Sequence, residues 1–101
     1  MSVVVYVTAP PSEGEKIAQF LVERKLAACV NIAQVDSIYR WEGRVERDRE
    51  ALLIIKTRAE RLPELIRELK SVHPYKVPEI IALPIVDGNP DYLRWLEEAT
   101  R

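Results

Sequence analysis

A proline-rich segment at residues 73–85 constrains the fold of this chain more than any other. It reads His-Pro-Tyr-Lys-Val-Pro-Glu-Ile-Ile-Ala-Leu-Pro-Ile and holds the only histidine. Each proline fixes φ at about −65° and removes a backbone donor, and Pro74 and Pro78 each disfavour helix at the residue before them. The pattern predicts that a helix ends at His73, that the chain then runs extended, and that a strand begins at Glu79. So rigid a segment forms either the wall of a binding site or a contact between subunits, or it merely ends a helix and protects the edge of a strand from further pairing.

The first half of the chain reads as a strand and a helix. Residues 3–7 form a continuous β-prone run, typical of a central strand that is buried on both faces. Ser12 and Glu15 have the spacing of a capping box. The spacing of the apolar residues that follow predicts a helix that ends near Lys25.

Two long β-prone runs then predict a hairpin over residues 30–57, with its turn at Glu42-Gly43. Val35 breaks the alternation that the other apolar residues of the first arm follow. Because a slip of one residue moves every side chain to the opposite face of a strand, the pattern predicts a bulge between Gln34 and Ser37.

The last third predicts a helix, a strand and a further helix. Pro63 is tolerated only in a first helical turn, so the second helix is expected to start near Glu60. Residues 79–86 read as the fourth strand. Asn89 followed by Pro90 is a helix start signal. The buried face of this last helix is predicted to hold Tyr92, Trp95, Leu96 and Ala99.

The order of these elements predicts an α+β fold. Strand, helix, strand, strand, helix and strand form a ferredoxin-like split βαβ pattern, here with a long β-hairpin and an extra C-terminal helix. It implies one antiparallel sheet with two helices on one face. At 101 residues, the whole chain (1–101) is expected to be a single domain.

The hairpin is too long for a monomer of this size. Its arms have roughly a dozen residues, whereas a typical strand has about 5–6. Tyr39 and Trp41 lie near its tip, and an exposed hairpin of this length invites strand pairing. The sequence therefore predicts that neighbouring subunits cover the hairpin and that Tyr39 and Trp41 lie in the interface.

Composition excludes several classes of protein. A net charge of −1 argues against a dedicated nucleic-acid binder. One cysteine excludes an internal disulfide and fits a reducing compartment, and no apolar run could span a membrane. The protein is expected to be cytoplasmic, and its many charges and few Asn, Gln and Met residues are typical of a thermostable protein.

Cys29 and His73 are the candidate metal ligands, since thiol and imidazole groups are what transition metals prefer. Each has a structural alternative. A free cysteine commonly packs as a small hydrophobe, and His73 could cap the end of a helix. No nucleotide-binding glycine motif or CxxC pair is present. A Cys–His nucleophile pair has little support, because no charged neighbour in sequence would activate Cys29.

Five motifs follow one another along nearly the whole chain. They are Leu-Ala-Ala-Cys-Val-Asn-Ile at 26–32, Ser-Ile-Tyr-Arg-Trp-Glu-Gly at 37–43, Leu-Ile-Ile-Lys-Thr at 53–57, the run from His73 to Ile81, and Tyr-Leu-Arg-Trp-Leu at 92–96. Together they resemble the CutA divalent-cation tolerance family. The resemblance implies a ferredoxin-like subunit, a tight trimer similar to the PII signalling proteins, a link to copper and other divalent metals, and no established catalysis. His73 matches a proposed metal ligand of that family, and Cys29 matches its Ala-Ala-Cys cysteine. Val72 and Tyr6 stand where some members carry a second histidine and another cysteine.

Three hypotheses follow. The first is a non-enzymatic homotrimer that acts in tolerance of divalent metals by weak binding of Cu²⁺ or another divalent cation, with a protein partner that the sequence does not name. The second is a PII-like sensor that binds a small molecule in the cleft between subunits, for which a pocket lined by Cys29, Lys56 and Tyr75 would be favourable. The third is a purely structural partner protein.

Overall fold

The computed structural model describes residues 1–101 as a four-stranded sheet with helices on both faces. The strands are β1 (Ser2–Ala9), β2 (Cys29–Trp41), β3 (Arg44–Arg58) and β4 (Ile80–Pro84). The helices are α1 (Gly14–Glu23), α2 (Leu62–Val72) and α3 (Pro90–Ala99), and a short 3₁₀ turn (Ala59–Arg61) precedes α2. No helix is long and apolar enough to cross a bilayer.

The sheet has the strand order β2-β3-β1-β4, and every neighbouring pair is antiparallel. The β1-α1-β2 unit therefore encloses β3, and the β3-α2-β4 unit encloses β1. Two interleaved split βαβ units are the ferredoxin-like topology. The predicted fold class is confirmed.

One face of the sheet, here called the first face, holds the core against α1 and α2. Alternate residues of β1 from Val3 to Ala9 are buried, and β3 presents alternate residues of the same register to this side. The two helices add Ile17, Leu21, Leu65 and Leu69 to the same cluster. Burying a side chain of this size contributes about 1.5–3 kcal/mol, so this layer accounts for most of the stability of a single chain.

The opposite face, here called the second face, is covered by α3 at one end. Leu96 is fully buried there, and the Arg58 guanidinium donates hydrogen bonds to the Thr100 carbonyl at 2.7 Å and to its hydroxyl at 2.9 Å. Farther along the same face, Ile81 is 50% exposed and Leu83 is also exposed. The second face of the isolated chain thus carries uncovered apolar surface.

The hairpin of β2 and β3 is longer than most, with arms of 13 and 15 residues. Glu42 (φ 50°) and Gly43 (φ 78°) both adopt left-handed backbone, as a two-residue turn of type I′ requires. The predicted turn is confirmed. The predicted bulge is wrong, because pairing continues in one register from Cys29 opposite Lys56 to the turn. Val35 lies on the second face, which is itself partly apolar.

The helix starts depart in part from the sequence signals. The predicted capping box is wrong: α1 begins after Glu13, and no side chain caps it. The helix packs so closely on β3 that a Cβ on Gly14 would lie 2.8 Å from that of Ala51. Pro63 lies in the first turn of α2, as predicted, and Asn89 caps α3 by accepting a hydrogen bond from Asp91 N–H at 3.0 Å.

Two further expectations need correction. Tyr92 and Trp95 are exposed rather than buried, and their rings contact each other in a tilted arrangement, with centroids 5.4 Å apart and planes inclined by 45°. Only Leu96 of the predicted face is fully buried, because α3 rests on the sheet along a narrow stripe. The fourth strand is shorter than expected and ends at Pro84, whose missing N–H limits pairing.

Candidate functional site

His73 fastens the segment after α2 to the sheet. Its Nε2 lies 2.8 Å from the carbonyl oxygen of Thr8, and its Nδ1 lies 3.0 Å from the backbone nitrogen of Tyr75. A backbone N–H can only donate, so Nδ1 must be the acceptor, and Nε2 must carry the proton that it donates to Thr8. The residue is 8% exposed. Both imidazole nitrogens are therefore engaged, and they hold residues 73–79, here called the proline loop, against β1.

Tyr75 connects the proline loop to the hairpin. Its phenol donates a hydrogen bond of 2.8 Å to Oε2 of Glu50 on β3. Burial and this hydrogen bond raise the pKa of Tyr75. The phenol thus stays protonated at neutral pH and remains a donor to the carboxylate.

Tyr39 repeats this arrangement closer to the hairpin tip. Its phenol donates a hydrogen bond to the carboxylate of Asp48 on the opposite strand. That hydrogen bond and the neighbouring carboxylates raise the pKa of Tyr39 to about 12. Two tyrosines, one from the loop and one from the hairpin, therefore present neutral phenols to acidic side chains on the same face.

A cavity of about 650 Å³ lies between the hairpin and the proline loop, open on one side. The loop contributes one wall through Pro74, Tyr75, Lys76, Val77 and Glu79. The hairpin contributes the other wall with Tyr39, Trp41 and Glu50, and Thr8, Ser37 and Ile38 complete the lining. The proline loop is thus a wall of a cavity, which agrees with one of the two roles that its stiffness predicts.

Acidic and basic side chains lie mainly on opposite faces of the hairpin tip, here defined as residues 36–49, and Glu50 adjoins the tip. Alternation along the paired strands puts Glu46, Asp48 and Glu50 on the second face with the cavity. It puts Arg40, Arg47 and Arg49 on the first face. Each face also holds one residue of the opposite charge, Arg44 on the second face and Asp36 on the first. On the first face, Oδ1 of Asp36 lies 3.5 Å from Nε of Arg49. The hairpin therefore has an acidic face and a basic face.

Cys29 lies in a separate cluster at the other end of the sheet. It pairs across the strands with Lys56, and its sulfur lies 3.9 Å from Oδ1 of Asn31, which also accepts a hydrogen bond from Lys56. Tyr92 on α3 is partly desolvated where it contacts Cys29, and both effects raise its pKa. This cluster joins β2, β3 and α3 beneath the covered end of the second face.

The structure does not bring together the three residues of the predicted pocket. Cys29 and Lys56 are neighbours, but Tyr75 contacts Glu50, six residues before Lys56 on β3. At about 3.3 Å per residue, that separation is about 20 Å. His73 and Cys29, the two predicted metal ligands, likewise belong to different ends of the molecule.

The side chains of one chain do not fit a metal centre. No group of three or more His, Cys, Asp or Glu side chains lies close enough together to hold a metal ion. His73 has no free ring nitrogen, so a metal there would have to displace its bond to Thr8 or to Tyr75. Metal coordination by His73 and Cys29 stays a prediction, and a complete coordination sphere would need water or a second chain.

Sequence reasoning missed Glu50 and Asp48. Both belong to a run of charged residues that reads as a solvated strand, yet Glu50 is only 6% exposed. The available signal was parity, since Glu50 falls on the same face as Tyr39 and Trp41 once the turn is set at Glu42-Gly43. Tyr39 and Trp41 are 40% and 43% exposed in the single chain, and their interface role stays a prediction.

Comparison with known proteins agrees with this architecture. Residues 3–99 match the family model described as CutA1 divalent ion tolerance protein. The chain is 52% identical over 102 residues to the divalent-cation tolerance protein CutA of Thermus thermophilus and covers 99% of both sequences. It is 53% identical to the chloroplastic protein CutA of Arabidopsis thaliana, of which it spans only 56%.

Solved structures agree equally well. The CutA1 structure from Thermus thermophilus superposes with a TM-score of 0.96 at 51% identity, and all of both chains is covered. The structure described as the periplasmic divalent cation tolerance protein CutA of Archaeoglobus fulgidus gives a TM-score of 0.97 at 43% identity, again over both whole chains. On the family match and these full-length relatives, the chain belongs to the CutA1 divalent ion tolerance family.

Proposed function

We propose that this protein acts in tolerance of divalent cations as a cytoplasmic homotrimer without catalysis. The observation that carries the proposal is the family match over residues 3–99. Relatives are named for tolerance and their names mention no reaction. Some relatives are named chloroplastic or periplasmic. The cytoplasmic location is therefore a separate part of the proposal, which cell fractionation would test.

A growth experiment tests this function directly. A host that lacks its own copy of the gene is complemented with this chain and grown in rising concentrations of copper, zinc and cobalt salts. The proposal expects complementation to raise the concentration at which growth stops for at least one of these cations. Unchanged limits for all three, with the protein present at normal levels, would contradict it.

The trimer is supported by surface that the single chain leaves uncovered. Ile81, Leu83, Tyr39 and Trp41 are all exposed, and exposed apolar surface of this kind marks an interaction site. The sorted charges of the hairpin tip fit the same arrangement. In a closed ring, each tip can set its basic face against the acidic face of the next subunit. Light scattering should give about three times 11.6 kDa, and a mass of one chain would contradict the trimer.

We further propose that Cu²⁺ or another divalent cation binds weakly. Displacing a hydrogen bond at His73 costs free energy, and one imidazole per chain leaves most of a coordination sphere to water or other subunits. Calorimetry with Cu²⁺ should give weaker than micromolar affinity, reduced further in His73→Ala or Cys29→Ser. Tight binding that survives both substitutions would show that the metal contacts lie elsewhere.

A small-molecule sensor is the second candidate, and the cavity favours it. Its volume lies within the range of small-molecule sites, about 300–1,000 Å³, and its walls come from two segments that His73 and Tyr75 fasten together. A thermal-shift screen against a broad library of metabolites should yield ligands whose effect is lost in Trp41→Ala. A screen with no such ligand would contradict the sensor.

A further inference from the structure

We propose that the hairpin tip of a neighbouring subunit fills the cavity between the hairpin and the proline loop. In this contact, Arg40 and Arg47 of the partner subunit pair with the cavity acids Glu50 and Glu79. The inference rests on the homotrimer proposed above and names the residues that join its subunits. It excludes the sensor candidate at this place, because a cavity that holds a neighbouring chain has no room for a metabolite.

Arg40 and Arg47 cannot reach these acids within one chain. Both arginines lie on the first face of the hairpin tip, whereas the cavity lies on the second face. Successive side chains of a strand point to opposite faces, so the two sets of charges are separated by the backbone of the hairpin. Neither arginine forms an ion pair with its own chain. Only a second copy can bring this basic surface against the cavity.

The two arginines belong to a compact group of side chains, here called the basic knob, that Val45 completes. Val45 lies directly across the strands from Arg40 and two residues before Arg47, on the same face. Its exposed fraction is 67%. An apolar centre flanked by charged side chains, with arginine among them, is the composition of a protein interface.

The cavity supplies complementary groups for the basic knob. Glu50 on the hairpin wall and Glu79 on the loop wall place one acid on each side, and Tyr39, Trp41 and Tyr75 lie in the same lining. A guanidinium group binds a carboxylate through two parallel hydrogen bonds and stacks on aromatic rings. The carboxylate of Glu50 already accepts one hydrogen bond from Tyr75, and a carboxylate can accept several. It can therefore keep that bond and receive an arginine as well.

The cavity acids have no cationic partner in their own chain. Lys76 is the one cationic residue of the lining, but it is exposed and pairs with neither Glu50 nor Glu79. Each subunit thus presents one basic knob and one acidic cavity on opposite faces of the same hairpin. A head-to-tail contact uses one of each. A closed ring of three subunits leaves no knob and no cavity unpaired.

Zero-length cross-linking tests this contact directly. Arg40→Lys and Arg47→Lys are made singly, because a carbodiimide joins an amine only to a carboxylate that touches it. Protein labelled with ¹⁵N and unlabelled protein are unfolded and refolded together, so mass spectrometry distinguishes links between subunits from links within one. Each variant should give mixed-label peptides that join the tip to Glu50 or Glu79. Arg44→Lys is the control, because Arg44 lies on the opposite face of the same tip, and it should give no such link.

A double-mutant cycle tests whether the contact stabilises the trimer. The basic variant combines Arg40→Gln with Arg47→Gln, and the acidic variant combines Glu50→Gln with Glu79→Gln, which keeps an acceptor for Tyr75. Each should lower the melting temperature at a fixed protein concentration. All four substitutions together should melt no lower than the less stable of the two variants, since both then lack the same contact.

A control for the cycle removes two positive charges elsewhere. Arg67→Gln with Lys70→Gln changes exposed residues of α2 that form no ion pair. Its effect on the melting temperature should add to that of the acidic variant, because α2 does not contribute to the proposed contact.

The contrary results separate this inference from the proposed function. A trimer that gives no mixed-label links, or whose losses in the cycle are additive, would overturn the contact and leave the homotrimer standing. A mass of one chain would refute the homotrimer and this contact with it. A metabolite that binds the intact trimer at Trp41 would show that the cavity stays open, and it would overturn the contact in favour of the sensor.

Discussion

Three substitutions at His73 separate the two hydrogen bonds that hold the proline loop. His73→Gln can keep a donor near the position of Nε2 and loses the acceptor for Tyr75 N–H. His73→Asn can keep an acceptor near Nδ1 and loses the reach to the Thr8 carbonyl. His73→Ala loses both contacts and also the packing against the Tyr75 ring, whose centroid lies 4.9 Å from that of the imidazole.

The magnitudes follow from these contacts. Removing one partner of a hydrogen bond and leaving the other unsatisfied costs about 1–3 kcal/mol. Both contacts are only partly buried, so the lower end applies. The free energy of unfolding should fall by about 1 kcal/mol in the Gln and Asn variants and by about 2–3 kcal/mol in the Ala variant.

Two assays are needed, because one reports on the whole protein and the other on the loop. Guanidinium unfolding at a fixed protein concentration gives the change in stability. Hydrogen exchange at the Tyr75 amide gives the local change: it should accelerate in the Gln and Ala variants and stay slow in the Asn variant. Three variants as stable as the parent, with unchanged exchange, would refute the role assigned to His73.

Three further predictions concern other parts of the chain. Gly14→Ala should destabilise by about 1–3 kcal/mol, because its new Cβ would lie 2.8 Å from the Cβ of Ala51; chemical unfolding measures this, and an equally stable variant would show that α1 shifts freely. Spectrophotometric titration should find Tyr39 ionising near pH 12, and the substitution Asp48→Asn should return the pKa of Tyr39 towards 10. Since the folded pKa lies above the unfolded value, the Tyr39 contribution to stability is present below pH 10 and lost as pH rises through 12. Trp41→Ala should lower the melting temperature by weakening the trimer, and a fully trimeric variant with an unchanged transition would exclude Trp41 from the interface.

The parts of the fold that follow local rules could be predicted from the sequence. Glu42-Gly43 is a turn because two residues with left-handed backbone match the twist of the strands. Asn89-Pro90 starts α3 because the Asn side chain caps the helix and the fixed φ of proline suits its first turn. The start of α1 was not predictable in this way. Glu13 N–H bonds to the Pro10 carbonyl in a turn, and the close contact of Gly14 with β3 sets where the helix begins.

The candidate site was predicted only in outline. The stiffness of the proline loop indicated a wall, and the resemblance pointed to His73. Neither could reveal that Glu50 is buried, because its partner Tyr75 lies 25 residues farther along the chain. The wrong prediction of a bulge also arose from tertiary structure that the sequence does not show. Val35 would not fit a sheet with only one apolar face, but both faces of this sheet carry apolar residues.

The most direct test of this account is the protonation of the His73 ring. The chain has one histidine, so a long-range ¹H–¹⁵N spectrum of the imidazole at neutral pH reports on it alone. If His73 holds the proline loop as described, the ring proton resides on Nε2, is donated to the Thr8 carbonyl and exchanges slowly with solvent, while Nδ1 accepts the hydrogen bond from Tyr75 N–H. A proton on Nδ1, or a ring that averages both tautomers, would contradict the account.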